Sequence, residues 1–80
     1  MKARIDVVLK DGVLDPQGKA IHQALQHLGF DSVKGVRQGK VIEIDLSETD
    51  KSKAEASLKS MSEKLLANQV IENFRITLQD

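Results

Sequence analysis

Ala3-Arg4-Ile5-Asp6-Val7-Val8-Leu9-Lys10-Asp11-Gly12-Val13-Leu14-Asp15-Pro16-Gln17-Gly18-Lys19 passes through three kinds of local code in seventeen residues. Ala3, Ile5, Val7 and Leu9 alternate with Arg4, Asp6, Val8 and Lys10. That period of two marks a half-buried strand over residues 3–10, with Val8 breaking an otherwise polar outer face. Asp11-Gly12 supplies turn chemistry. Asp15 then suits an N-cap, because its carboxylate can accept from free amides of a first helical turn. Pro16 follows at the first helical position, where the N–H it lacks is not needed.

Working outward, Ile21, Ala24, Leu25 and Leu28 recur at helical spacing and Gly29 stands where a left-handed C-cap belongs, so a helix is expected over 16–28. Residues 33–38 form a short strand candidate. Gln38-Gly39 would turn it into a second strand over 41–46, in which Ile42, Ile44 and Leu46 face one way and Val41, Glu43 and Asp45 the other. Ser47-Glu48-Thr49-Asp50 opens a second helix, with Ser47 or Thr49 as its cap. Its apolar stripe is Ala54, Leu58, Met61 and Leu65, and its outer face carries Glu55, Lys59 and Glu63. Asn68-Gln69 ends it, and a last strand over 71–78 turns Phe74, Ile76 and Leu78 inward.

The order β-α-β-β-α-β closes most economically as an α+β ferredoxin-like fold: a four-stranded antiparallel sheet with both helices on one face. The right-handed crossover rule puts the first and third strands in its centre. The opposite sheet face would then show Arg4, Asp6, Val8, Val41, Glu43, Asp45, Arg75 and Thr77, a mixed surface fit for water or for self-association.

Composition narrows the function. Thirty-two of the 80 residues are apolar and there is no cysteine, which removes disulfides, thiolate metal sites and a cysteine nucleophile. Twelve basic residues cancel twelve acidic ones. A general nucleic-acid binder needs a basic footprint, and an RNA-binding sheet of this order needs exposed aromatics. This chain has two Phe, no Tyr and no Trp, and both Phe30 and Phe74 read as core. No apolar run approaches a membrane span and the N-terminus lacks a signal-peptide pattern, so a cytoplasmic protein is expected. The charges are unevenly placed. Residues 1–40 hold seven basic against four acidic side chains and residues 41–80 five against eight, a dipolar arrangement suited to complementary docking. A chain this short buries only about two-thirds of its unfolded surface, which favours oligomerisation as a supplement.

No catalytic set emerges. His22 and His27, five apart on the first helix, read as solvent-side residues, and no Ser-His-acid spacing or phosphate-binding glycine pattern is present. Gly18 is the unexplained glycine: it sits in a first helical turn, where Ala would be more stable by about 0.5–1 kcal/mol. It suggests close approach by a ligand or another backbone. Free amides at that helix start could also receive an anion, with Lys19, Arg37 and Lys40 nearest.

Residues 7–21, Val7 through Ile21 with Gly12-Val13-Leu14-Asp15-Pro16-Gln17-Gly18 at their centre, resemble the N-terminal signature of PurS, the small subunit of bacterial phosphoribosylformylglycinamidine synthase (FGAM synthase). Leu28-Gly29-Phe30 and Val36-Arg37-Gln38-Gly39-Lys40 resemble that family's second block. The resemblance spans residues 1–80 as a single PurS-like domain. It implies a non-catalytic bridging subunit of an ATP- and glutamine-dependent C–N ligase in purine biosynthesis. Such a subunit holds the glutaminase PurQ and the synthetase PurL together and assists ammonia transfer. It also implies homodimers and larger self-assemblies such as tetramers, with ATP, Mg and glutamine used by the complex and no cofactor on this chain. The residues expected at a partner interface are Asp15, Pro16, Gln17, Gly18 and Lys19, with Arg37 and Lys40. The competing expectation is a free-standing ligand-sensing regulatory module of the same fold. An acylphosphatase-like enzyme is disfavoured, because the connection after the first strand is acidic at Asp15.

Overall fold

A computed structural model describes residues 1–79. The chain runs β1 (Lys2–Leu9), α1 (Pro16–His27), β2 (Lys40–Asp45), α2 (Lys51–Met61), a π-helical turn (Ser62–Leu66) and β3 (Glu72–Gln79). The three strands form one antiparallel sheet in the order β2-β1-β3.

β1 is central because its inner face is apolar at every second residue and both its edges find a partner. Ala3, Ile5 and Val7 are fully buried. The register stacks Leu78–Ala3–Ile44 and Ile76–Ile5–Ile42 as cross-strand layers, with Phe74 beside Val7. Such pairs are the unit of sheet stabilisation. α2 lays Ala54 and Leu58, both buried, over this face, and Met61, Leu66 and Ala67 complete the core. The outer face carries Arg4, Asp6, Arg75, Glu43, Val41 and Thr77 as the alternation requires. Arg4 and Arg75 flank Asp6 at 3.0 and 3.7 Å, exposed pairs worth little in water.

Several expectations are corrected. First, there is no fourth strand among the described residues, and no hairpin at Gln38-Gly39. Val33 and Val36 lie three apart, a spacing that cannot place both on one face of a strand. Residues 31–39 instead run as a strap beside α1, where their backbone groups are taken by side chains of that helix. The Val33 carbonyl accepts from His22 Nε2 at 3.0 Å and the Gln38 amide donates to Asp15 at 2.8 Å. His22 is therefore half-buried against the strap rather than solvent-side. The strand over 41–46, expected in the centre, is an edge strand.

Second, the cap of α2 is Asp50, whose carboxylate accepts from the amides of Ser52 and Lys53 at 2.9 and 3.3 Å. Ser47 and Thr49 are not the cap: Glu48 takes the amides of Thr49 and Asp50 and seats the carboxylate one residue later. Third, Leu65 does not continue the apolar stripe. The Ala67 amide donates to the Ser62 carbonyl five residues back, at 2.9 Å. The extra residue in that turn rotates the helix face. Leu65 swings out to 82% exposure while Leu66 packs on the core, and the buried Ser62 hydroxyl is satisfied by the Leu58 carbonyl at 2.8 Å. Fourth, Phe30 is not core; it is 56% exposed.

α1 ends as the sequence indicates. Gly29 adopts φ +96°, its amide donates to the Gln26 carbonyl and that of Phe30 to Leu25, a Schellman closure. Its apolar stripe, however, is unpacked. Ile21, Ala24 and Leu28 are exposed and no α1 residue among those described joins the core. The helix projects as an arm, and the chain measures 49 × 26 × 14 Å with a radius of gyration of 16.0 Å. A compact chain of this length would have about 12 Å.

The rotated helix end makes a test. Leu58→Ala empties a fully buried site and should cost about 2–5 kcal/mol in urea unfolding, whereas Leu65→Ala should change stability by less than about 0.5 kcal/mol. Equal losses would place Leu65 in the core and contradict the rotation.

Candidate interaction site

The seven residues singled out from the sequence fall at the joint between the arm and the sheet. Asp15 is the organising group. As N-cap of α1 it accepts from the Gly18 amide through Oδ1 at 2.8 Å, and through Oδ2 it accepts from the Gln38 amide, also at 2.8 Å. These bonds tie the start of α1 to the end of the strap, 23 residues away along the chain. The carboxyl is held below its ordinary 3.8, first by the Gln38 amide and then by the Gly18 amide; burial opposes this, and the Arg37 charge and the Gln17 amide reinforce it.

Gly18 is explained by the strap. A Cβ there would come within 2.5 Å of both the Val36 carbonyl oxygen and Asp15 Oδ2. The close approach inferred from the sequence is thus made by the chain's own backbone. Arg37 crosses the joint in the other direction. Its Nη1 donates to the Val13 carbonyl at 3.0 Å, and its Nη2 donates to the carbonyls of Lys10 at 3.0 Å and Leu9 at 3.4 Å. Gln38 Nε2 donates to Gln17 Oε1 at 2.6 Å. Asp15, Pro16, Gln17 and Lys40 line one open groove of about 580 Å³ with an apolar floor that includes Val7 and Leu9. Lys19 lies outside it, exposed on α1.

Gln38, His22 and the Val36 carbonyl take part in the joint and were not singled out by the sequence reading. Only His22 had a local signal, lying four residues after Gly18 on the same helix face.

This arrangement holds the start of α1 and the end of the strap together. Among the described residues no group of three His, Asp or Glu side chains is placed to hold a metal, and no helix is long and apolar enough to cross a membrane. Each oxygen of the Asp15 carboxylate accepts from one backbone amide.

Residues 2–80 match the family model for PurS, phosphoribosylformylglycinamidine (FGAM) synthase. The chain belongs to the PurS family. It is 49% identical over 71 residues to the PurS subunit of phosphoribosylformylglycinamidine synthase from Synechocystis, covering 89% of this chain and 71% of that relative. The solved PurS structure from Bacillus subtilis superposes with a TM-score of 0.89 at 40% identity, over 99% of this chain and 98% of the other. A chain in the structure of PurLQS from Thermotoga maritima superposes with a TM-score of 0.86 at 34% identity, over 95% and 93%. As a PurS chain, the protein is a subunit of a C–N ligase of purine biosynthesis, and nothing indicates that catalytic residues lie on it.

The lowered Asp15 pKa sets a pH dependence. A depressed folded-state value stabilises the fold above the unfolded carboxylate range, and this contribution is lost as pH falls through the folded value. Wild type should therefore exceed Asp15→Asn in urea midpoint from pH 7 down to the ordinary carboxylate range, and the gap should close below it. A gap that persists unchanged at pH 2.5 would show that the carboxylate charge plays no part.

Proposed function

We propose that this chain acts as a non-catalytic bridge in FGAM synthase, operating in the cytoplasm as a single domain over residues 1–80. It joins a PurQ-like glutaminase to a PurL-like synthetase in a complex that consumes ATP, with Mg, and glutamine. The supporting observation is surface the chain leaves open. Its accessible area is 5970 Å², against about 4,800 Å² for a compact chain of its mass. The excess of about 1,200 Å² exceeds the roughly 800 Å² that each partner contributes to a standard interface.

The first occupant of that surface is a second copy of this chain. Each copy carries both halves of a closure. One half is the exposed stripe Ile21, Ala24 and Leu28 on the arm. The other is an open apolar groove of about 420 Å³ over Phe74, Ile76 and Leu78, rimmed by Glu55 and Lys59. The charges agree: the arm and strap hold Lys19, Lys34 and Arg37 against Asp31, and the half of the chain that forms the groove is net acidic. Two copies exchanging arms would bury both surfaces in an isologous homodimer.

In the same reading, the turn Asp15-Pro16-Gln17-Gly18-Lys19 with Arg37 and Lys40 meets the enzyme partners. Pro16, Gln17, Lys19 and Lys40 present exposed contacts; Asp15, Gly18 and Arg37 shape the turn that holds them. The chemistry served is ammonia transfer. Ammonia released to bulk water is diluted and protonated, and attack needs the neutral amine, so a bridge that keeps two sites in register and sheltered raises the useful fraction.

Two measurements test this. Tagged wild type should co-elute with the glutaminase and synthetase subunits, most strongly with glutamine and adenine nucleotide present. Gly18→Leu should weaken that co-elution while keeping the far-UV circular dichroism of the fold. Unchanged co-elution together with unchanged glutamine-dependent activity would contradict the interface assignment. Leu28→Glu places a charge in the exchanged stripe and should halve the sedimenting mass; a mass equal to wild type would remove the arm from the dimer.

A further inference from the structure

We infer that Asp15, Arg37 and Gln38 form a polar joint that fixes the angle at which the α1 arm leaves the sheet. Among the described residues, α1 places none in the hydrophobic core that could set that angle. Its apolar residues are exposed apart from a half-buried Leu25, and Leu14, in the connection from β1, is 75% exposed. Units linked without a packed apolar interface move relative to one another by default.

The joint replaces packing with crossed hydrogen bonds. The chain passes between sheet and arm twice, outward through residues 10–15 and back through residues 36–39. Arg37, on the returning passage, donates to two carbonyls of the outgoing one, Lys10 and Val13, and to the Leu9 carbonyl at the end of β1. Asp15, on the outgoing passage, accepts from the amide of Gln38 on the returning one. Each passage thus supplies one charged side chain that grips the backbone of the other. Charge-assisted bonds of this kind are the strong ones, and with two of opposite sense neither passage can slide or twist alone. Gly18 makes the geometry attainable, since any side chain there would push Val36 away from the helix. The free chain then holds its arm ready, lowering the ordering cost when a partner docks. That use rests on the self-association proposed above; the joint itself is a property of one chain.

Electron–electron spin-resonance distances test it. The sequence has no cysteine, so Gln26→Cys on α1 and Thr77→Cys on β3, both exposed, give a unique pair of labels in the full chain. Labelled chain is diluted into excess unlabelled chain so that only distances within a chain are read. A single narrow distance peak is expected for the parent. Asp15→Ala and Arg37→Met should each lose it to a broad distribution, with the circular dichroism of the sheet retained. A narrow peak at the parent distance in both variants would overturn the joint. If Asp15→Ala fails to fold, Arg37→Met decides alone, because it removes donors to exposed connections and touches no core residue. A monomeric parent whose peak broadens in the variants would uphold the joint while overturning the dimer.

Discussion

A single carboxylate, Asp15, accepts hydrogen bonds from two amides twenty residues apart and so ties the start of the first helix to the end of the strap. In an ordinary two-layer α+β chain both helices are drawn onto the sheet by their apolar stripes. Here the strap lies along α1, seated by Asp15, His22 and the missing side chain of Gly18. The helix sets Gly18 and His22 against its own return segment and turns Ile21, Ala24 and Leu28 to the outside. Everything that makes this chain an incomplete object follows from that choice.

The remaining body is small but orthodox. Three strands and α2 close a core around Ile5, Val7 and Leu58, and the π turn at Ser62–Leu66 redirects the last helical residues so that Leu66 and Ala67, rather than Leu65, finish it. Such a core is thin for a free-standing domain. Membership of the PurS family gives the incompleteness a purpose: a subunit of a larger enzyme contributes by the surfaces it offers, and an arm held away from its own sheet is such a surface.

The sequence revealed the elements better than their packing. β1, α1, β2 and β3 were legible within a residue or two, because alternation, the Asp15-Pro16 start and the Gly29 stop are local codes. The strap resembles a strand in sequence, since a short apolar segment before a strong strand invites pairing, although Val33 and Val36 are three apart. The Asp50 cap is not legible in the sequence because three good capping residues crowd one turn and only the Glu48 side chain settles which amides remain free. At the site, Asp15 as cap and Gly18 as a point of close approach were both readable. The identity of what approaches Gly18 was not: the bond from Asp15 to Gln38 spans 23 residues and has no periodic signature. Nor could a stripe of Ile21, Ala24 and Leu28 declare whether it meets its own sheet or another chain.

If, as proposed, this chain closes its hydrophobic surface only with a second copy, its folding is tied to association. Thermal unfolding of the wild-type chain, followed over a hundred-fold range of protein concentration, reads this directly. A midpoint that climbs steadily with concentration is the predicted result, because mass action favours the associated fold. A midpoint independent of concentration, in a chain that sediments at its monomer mass of 8.8 kDa throughout, would contradict it.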